Sequence, residues 1–554
     1  MRARVCQTPK PEVKSTPSRP QTPLSRLLAI YSPLIQRDSQ FPFSNSPFSI
    51  TYSRVKAPER TAARSLSQRL FPALFGSFLA LTLLKFGNPP IMEKWVSRPA
   101  DIFEFLISTP WPIAWAYWML AGVVVLGAFS VFPSRTTPIL KQGAPQRSKW
   151  LLFLPLLWLC WQWLAAMDSV DWHLSKATLL HFAACVICFY LGFFCLSRAA
   201  RPWTFWLPLL AGFVLVLAIG WDQHLGGLEA SRKYFQTYLY KEEAHLPPEF
   251  IKKMQSNRIF STLFYPNALA GGLLLLLPAM LVVARQWPDA LASKRVRLGS
   301  FAVAALGGVC FLEFGSKGAG IFLLLLATAF VLPKWRYWLA AVLAVGALAC
   351  LFWSGSKGGW LLMLLLVVIT LLLTLKFGKR AKLVLIGAIV VVGLAGFFWK
   401  YAAFFQKGAT SVSARFDYWR AALQITRQHP VLGTGPGTFA IPYAEIKRPE
   451  AEMSRMVHND YLEQASDSGI VGFLAYITFV SLALILSYPP ANECQPDAMQ
   501  LSGNRNWSAF AVWLGVLAVA LQSLVEFSLY IPALSWPSFG LLGWLLAWEM
   551  PALD

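Results

Sequence analysis

From Phe71 onward the chain alternates apolar runs of about 15 to 21 residues with polar loops, and each run is long enough, or nearly so, to cross the hydrocarbon core as a helix. The runs lie at 71–87, 112–132, 150–167, 178–197, 203–221, 266–284, 298–314, 319–333, 337–353, 359–376, 382–399, 470–488, 507–525 and 532–549. This pattern predicts an all-α, polytopic integral membrane protein of about fourteen transmembrane helices. Two long polar stretches interrupt the alternation, 222–265 and 400–469. Ahead of the first run, residues 1–68 are rich in Pro, Ser and Arg and poor in acids, and are expected to form a disordered, basic cytoplasmic tail. An Arg-rich, acid-poor start also fits a transit peptide, or a chain whose translation begins further in. Residues 69–554 then make one membrane domain.

The second polar stretch opens with a predicted helix, 413–427, which places Arg415, Trp419, Ala422 and Thr426 on one face and must stop near Pro430. Gly433, Gly435 and Gly437 follow as a turn. No strand precedes this turn and no Lys-Ser/Thr follows it, so it is not a nucleotide-binding loop. Some twenty residues later come His458 and Asn459, and then Gly469 and Gly472 at the start of the next apolar run. Elsewhere Gly315-Ser316-Lys317-Gly318 and Gly355-Ser356-Lys357-Gly358 recur at a period of 40 residues, each a tight turn between apolar helices, as in a duplicated helical hairpin.

Composition strengthens the membrane reading. Hydrophobic residues make up 56% and charged residues only 14% of the chain, with a mean hydropathy of +0.50, whereas soluble domains carry about a quarter charged residues. A net charge of +22 would suggest nucleic acid as partner of a soluble protein, but here Lys and Arg concentrate in short loops. Arg135, Lys141, Arg147 and Lys149, Arg198 and Arg201, Arg285, Lys294, Arg295 and Arg297, Lys334 and Arg336, and Lys376, Lys379, Arg380 and Lys382 all fall on one side if the helices strictly alternate. By the positive-inside rule that side is cytoplasmic. Both termini are then inside, the stretches 222–265 and 400–469 share the outer face, and no nucleic-acid partner is expected. Six of the eight Cys (Cys160, Cys185, Cys188, Cys195, Cys310 and Cys350) lie in apolar runs, and Cys6 and Cys494 fall in loops assigned to the cytoplasm, so no external disulfide framework is expected. Cys185-x-x-Cys188 reads as apolar filler.

Taken singly, His458 reads as a loop residue, as a helix cap, or as a general base, since an imidazole accepts protons near neutral pH. Asn459, Asp460 and Glu463 are its nearest orienting partners in sequence, although a solvated helix start is the simpler role for the two acids. A guanidinium such as Arg415 matches phosphate oxygens through its planar fork. Pro266 suits a helix start, with Arg258 just ahead of it. Glu526 stands near the membrane face at the end of an apolar run, where an acid either serves function or pairs with a lysine.

In combination these residues resemble a known family. His458-Asn459, nine residues, Gly469, two residues, Gly472 is similar to the histidine motif of the O-antigen ligase and O-antigen polymerase superfamily. Arg415-xxx-Trp419-xx-Ala422 and Pro430-xx-Gly433-x-Gly435-x-Gly437 resemble the arginine helix and glycine turn that precede it there. The stretch from Arg258 to Pro266-Asn267 and the turn Ser356-Lys357-Gly358 resemble two further segments, with Lys357 where the family carries arginine. The resemblance covers about residues 255–549, including the loop 400–469 as a catalytic loop. It implies a membrane glycosyltransferase that needs no metal and no cofactor. It moves a glycan from an undecaprenyl-diphosphate carrier to a lipid A core or to another glycan chain at the periplasmic face, as in lipopolysaccharide biosynthesis. His458 and Arg415 are then the catalytic residues; Lys357, Arg258 and Arg420 hold the carrier diphosphate; Asn459, Glu463 and Glu526 support them. A protein O-oligosaccharyltransferase of the same superfamily is one alternative. A multi-pass anion or lipid transporter is another, which broken helices or paired charges at mid-membrane depth would mark. The remaining reading, a membrane scaffold whose loop binds a partner, leaves the motif spacing to chance.

Overall fold

The computed structural model describes residues 66–107, 109–131, 150–199, 201–234, 255–375, 377–406, 410–489 and 501–548. The tail at 1–65, Cys6, Cys494, Lys376 and the basic loop within 132–149 lie outside the described residues. The described residues form helices and connecting turns, with no strand among them. In chain order the helices are α1 (Leu66–Lys85), α2 (Ile102–Ile107), α3 (Ile113–Val131), α4 (Leu154–Met167), α5 (Trp172–Tyr190), α6 (Trp203–Asp222), α7 (Leu228–Tyr234), α8 (Pro266–Arg285) and α9 (Lys294–Glu313). Then follow α10 (Lys317–Val331), α11 (Trp335–Ser354), α12 (Lys357–Thr374), α13 (Lys379–Gln406), α14 (Thr410–Gln428), α15 (Ala440–Ile446), α16 (Asp460–Leu486), α17 (Leu501–Gln522) and α18 (Pro532–Trp548).

Each apolar run of the sequence carries one of these helices. Ten of the described helices are long and apolar enough to cross a membrane. Leu154–Met167, Lys317–Val331 and Trp507–Gln522 are apolar but shorter, and α18 has 17 residues. Helix α18 is apolar all round and buried along nearly its whole length, so it sits inside the bundle, packed by α1, α5 and α17. By contrast α9 and α13 bury almost nothing and lean mainly on α10 and α12, leaving faces such as Val303, Leu306, Val391 and Trp399 exposed, as lipid-facing helices do.

Two local features prepare the site. The turn 523–531 between α17 and α18 is pinned from both sides. His181 of α5 accepts a hydrogen bond at Nδ1 from Trp536 Nε1 (3.2 Å), so its proton is on Nε2 and is donated to the Leu529 carbonyl (2.8 Å). The Leu529 N–H is donated to Asp460 Oδ2 (2.9 Å). The second feature is a break in α16 at Ser468 and Gly469, where Gly469 takes φ +70°. The glycine turn docks into this break. Thr434 N and Gly435 N donate to the Ser466 and Asp467 carbonyls (3.1 and 2.9 Å), and Ile470 N donates to the Pro430 carbonyl (2.9 Å). A Cβ on Gly433 would collide with the Asp467 backbone, and one on Gly469 with the Val431 carbonyl, so both backbones need glycine here.

The expectation of a solvated start for this helix is corrected. Asp460 and Glu463 are fully buried, as is Asp467 one turn further on. The reason is that each clips another piece of backbone to the first half of α16. Asp460 takes the Leu529 N–H, Glu463 Oε2 takes the Val457 N–H (3.2 Å), and Asp467 Oδ2 takes the Gly437 N–H (2.6 Å) and the Tyr530 hydroxyl (3.0 Å). A periodicity count treats an acid at a helix start as water-facing; here the covering layer comes from residues 30 or more positions away in two of the three cases.

Candidate active site

The site forms where four segments meet at one end of the bundle: the extended stretch ahead of α8, the turn between α11 and α12, helix α14, and the loop entering α16, all gathered around the turn 523–531. Its centre is Glu526. Asn267, the second residue of α8, donates from Nδ2 to Glu526 Oε1 (2.6 Å) and accepts at Oδ1 from Arg258 Nη2 (2.8 Å). Arg258 also donates from Nε to the Ser354 carbonyl (2.7 Å). Arg415 reaches Glu526 Oε1 through Nη2 and fixes its own guanidinium by donating from Nε to the Val525 carbonyl (3.0 Å) and from Nη1 to the Ser411 carbonyl (3.1 Å). His458 Nδ1 stands 3.3 Å from the other oxygen, Oε2. The side chains of Glu526, Arg415 and His458 are 12%, 19% and 27% exposed, so the cluster is largely but not wholly withdrawn from solvent.

Local backbone explains how His458 is presented. It takes φ +55°, in the left-handed region that a residue with a Cβ occupies at a cost of about 1–3 kcal/mol. The next residue, Asn459, is extended and caps α16, its side chain accepting from Tyr461 N (3.1 Å) and Leu462 N (3.0 Å). Asp460 N then donates to the Ser523 carbonyl (2.8 Å), tying the cap to the turn that carries Glu526. The imidazole lies between the Tyr418 ring, nearly parallel at 5.9 Å, and the edge of Phe527 at 4.9 Å. Tyr418 is on α14, one turn from Arg415, so a single helix face supplies both the cation and the ring.

Lys357 opens α12 behind Ser356, whose Oγ accepts from Gly359 N (3.2 Å) as the cap. Its Nζ lies over the Tyr401 ring at 5.1 Å and within electrostatic reach of Arg258 and Arg415. The two copies of the Gly-Ser-Lys-Gly turn are alike in backbone, with φ +82° at Gly315 and +62° at Gly355, and each places its lysine at the first helical position. Only the second packs on the site: Gly355 touches Arg258, whereas Gly318 packs on Trp221 and Asp222.

Of the residues expected from sequence, the structure brings together His458, Arg415, Arg258, Lys357 and Glu526. Asn459 acts as a cap. Glu463 is buried beneath the loop and holds Val457. Arg420 is exposed on α14 and, among the described residues, makes none of the cluster's hydrogen bonds or ion pairs. Glu526, expected to pair with a lysine if structural, pairs with an arginine and a histidine. The parts that Asn267 and Tyr418 play are not legible in the sequence. Pro266 explains a helix start without calling on its neighbour, and Tyr418 looks like any aromatic of an amphipathic helix.

Burial by itself pushes the Glu526 carboxyl up, but the hydrogen bond and charge of His458 and the charge and hydrogen bond of Arg415 outweigh it and hold the group below its ordinary value. Glu526 is therefore an ionised acceptor. Burial lowers the proton affinity of Arg258 and the Glu526 carboxylate opposes that effect; an arginine keeps its charge in any case. Among the described residues no group of three His, Cys, Asp or Glu is arranged to hold a metal ion.

Two similarities to known proteins bear on the chain. Over 149 aligned residues the chain is 29% identical to an uncharacterized protein of Haemophilus influenzae, an alignment that covers 23% of this chain and 37% of the relative. The chain thus matches little more than a third of that relative's length. The family profile described as O-antigen ligase matches residues 339–477, a segment that runs from α11 through the Ser356-Lys357 turn, Arg415, the glycine turn and His458 to the middle of α16. Over residues 339–477, then, the chain carries a segment similar to the O-antigen ligase family, which supports the resemblance to the O-antigen ligase and O-antigen polymerase superfamily.

Proposed function

We propose that the protein is a membrane glycosyltransferase that moves a glycan from an undecaprenyl-diphosphate carrier to a hydroxyl acceptor at the periplasmic face, crossing the membrane fourteen times with both termini inside. The observation that carries this reading is the grouping of Arg258, Arg415 and Lys357 with one carboxylate beside His458. Three cations and Glu526 leave two positive charges when the imidazole is neutral. A diphosphate diester carries two negative ones. An arginine has five N–H donors; the hydrogen bonds within the protein occupy two on Arg258 and three on Arg415, so both retain donors for phosphate oxygens.

In the reaction, the acceptor oxygen attacks the anomeric carbon of the carrier-linked sugar while His458 takes the hydroxyl proton. The new C–O bond forms as the bond from that carbon to the diphosphate oxygen breaks, and its electron pair leaves with the carrier diphosphate. The leaving diphosphate gains one negative charge, which the fixed cations are placed to offset without reorganising. Asn459 and Glu463 act at one remove, by fixing the loop that presents His458, and Arg420 is available to approaching anions at the exposed edge of α14. In this scheme the charge is met by side chains and not by a divalent ion.

Neither the break in α16 nor its buried acids favours the transporter alternative. The backbone groups freed around the break are taken up by the stretch 430–435, which bonds the Ser466 and Asp467 carbonyls and the Ile470 N–H, and by Trp161 Nε1, which donates to the Ser468 carbonyl; each buried carboxyl group accepts a backbone N–H from another segment. The test is transfer by the purified full-length protein in proteoliposomes, from a synthetic polyprenyl-diphosphate-linked repeat unit to lipid A core, to a second carrier-linked glycan or to a Ser/Thr peptide. Release of carrier diphosphate with one acceptor is expected, and that acceptor separates ligase, polymerase and protein glycosylation. Donor that binds but is never cleaved with any of the three would overturn the reading.

A further inference from the structure

The cluster contains a carboxylate that faces the base rather than the substrate, and its geometry specifies more than support. Glu526 Oε1 is occupied by Asn267 and Arg415, which leaves Oε2 to His458 Nδ1 at 3.3 Å. The turn carrying Glu526 cannot swing away easily. Its Leu529 is held at N–H by Asp460 and at C=O by His181, and its Val525 carbonyl takes the Arg415 Nε–H. An ionised carboxylate only accepts hydrogen bonds, so a nitrogen facing it must carry the proton.

We infer that Glu526 is a positioning residue that keeps the His458 proton on Nδ1, making Nε2 the atom that takes the acceptor's proton, and that Asn267, itself held by Arg258, fixes Glu526 in this role. This rests on the reading of His458 as the base. It adds which nitrogen acts and what fixes it. Once Nε2 has taken the proton, both nitrogens carry hydrogen and the imidazolium sits beside the Glu526 carboxylate, which stabilises the charge formed in the step. The Tyr418 ring lies nearly parallel to the imidazole and Phe527 packs against it at a steep angle. The charged and titratable groups facing the imidazole are thus Glu526 from the turn 523–531, and Tyr418 from α14, with Arg415 of α14 acting on it through Glu526. On its own element Asp460 points away, to the Leu529 N–H.

The experiment compares Glu526→Gln, Glu526→Asp and His458→Ala in full-length protein, reading transfer rate against pH and donor binding separately. Gln keeps an acceptor for Arg415 but removes the charge that stabilises the imidazolium. Glu526→Gln is expected to lower the plateau rate by about 10²-fold or more and to move the acid limb of the profile to lower pH by about one unit. Glu526→Asp should restore the limb and part of the rate. A structural role alone would lower the rate at every pH and leave the limb in place, and that result overturns the inference. Because the variants also disturb Arg415, the native protein supplies a second reading. With ¹⁵N-labelled histidine, and the His458 signals identified by their loss in His458→Ala, the resting protein should show a protonated Nδ1 and an unprotonated Nε2. The opposite tautomer overturns the inference without any variant. If His458→Ala transfers normally, the base reading itself fails; if it is inactive while Glu526→Gln keeps both rate and limb, only the positioning role falls.

Discussion

At the scale of single residues, the site divides into groups that meet the donor and one that meets the acceptor's proton, and substitutions should separate them. His458→Ala is expected to leave binding of the polyprenyl-diphosphate donor nearly intact while transfer falls by about 10²- to 10⁴-fold, as read by donor binding and single-turnover transfer on the same preparation. Arg415→Ala should weaken both, and Arg415→Lys should recover only part, because a single ammonium cannot replace a guanidinium tied at once to Glu526, Val525 and Ser411. The charge on Glu526 also sets a pH dependence of stability. Its folded value lies below the ordinary 4.5, so its contribution is present above that value and is lost as pH falls through the lower one. The unfolding midpoint in detergent should therefore be insensitive to this group above about pH 5 and decline below it, and Glu526→Gln should flatten that decline.

At the scale of elements, the first half of α16 acts as the post on which the site is assembled. Three buried carboxylates, Asp460, Glu463 and Asp467, clip to it the turn bearing Glu526, the residue before His458 and the glycine turn. The broken geometry at Gly469 lets that turn come within backbone contact. Gly469→Ala combines a left-handed φ with a Cβ driven into the Val431 carbonyl. It should destabilise the protein by about 1–3 kcal/mol and displace His458 along with the loop, giving loss of transfer together with a lower unfolding temperature. Ser356→Ala removes only a cap hydrogen bond ahead of Lys357 and should cost about 1 kcal/mol. An equal effect of the two would mean that the break is not the feature that organises the site.

At the scale of the whole molecule, the proposal depends on which side of the membrane the cluster faces and on whether its own cations suffice. Reporters fused after Arg297 and after Lys382 should be active in the cytoplasm, and one placed near Glu445 active in the periplasm; a cytoplasmic signal at Glu445 removes the proposed reaction from its donor. Transfer by the purified protein should persist in excess EDTA. Loss of transfer that one divalent ion restores would replace fixed cations with a metal as the partner of the leaving diphosphate.

The sequence by itself determined the helical membrane class and the position of each apolar helix, because a 15- to 20-residue apolar run has one means of satisfying its backbone in lipid. It also determined the local chemistry of the motif: Arg415 on a helix face with Trp419 and Ala422, a glycine turn after Pro430, and a histidine just before a capping asparagine. Spacing carries such features because they are made by neighbours in the chain. What only the tertiary structure decided is which of the scattered polar residues meet. Glu526, Arg415, His458 and the pair Arg258 and Asn267 come from four separate segments, and nothing in the spacing of one segment reports on another. The same is true of Asp460 and Glu463, which a local reading leaves in water and which long-range packing buries. It is true again of the duplicated turns, whose local geometry is alike while only Gly355-Ser356-Lys357 is carried to Arg258 by the packing of α11 and α12 against α8.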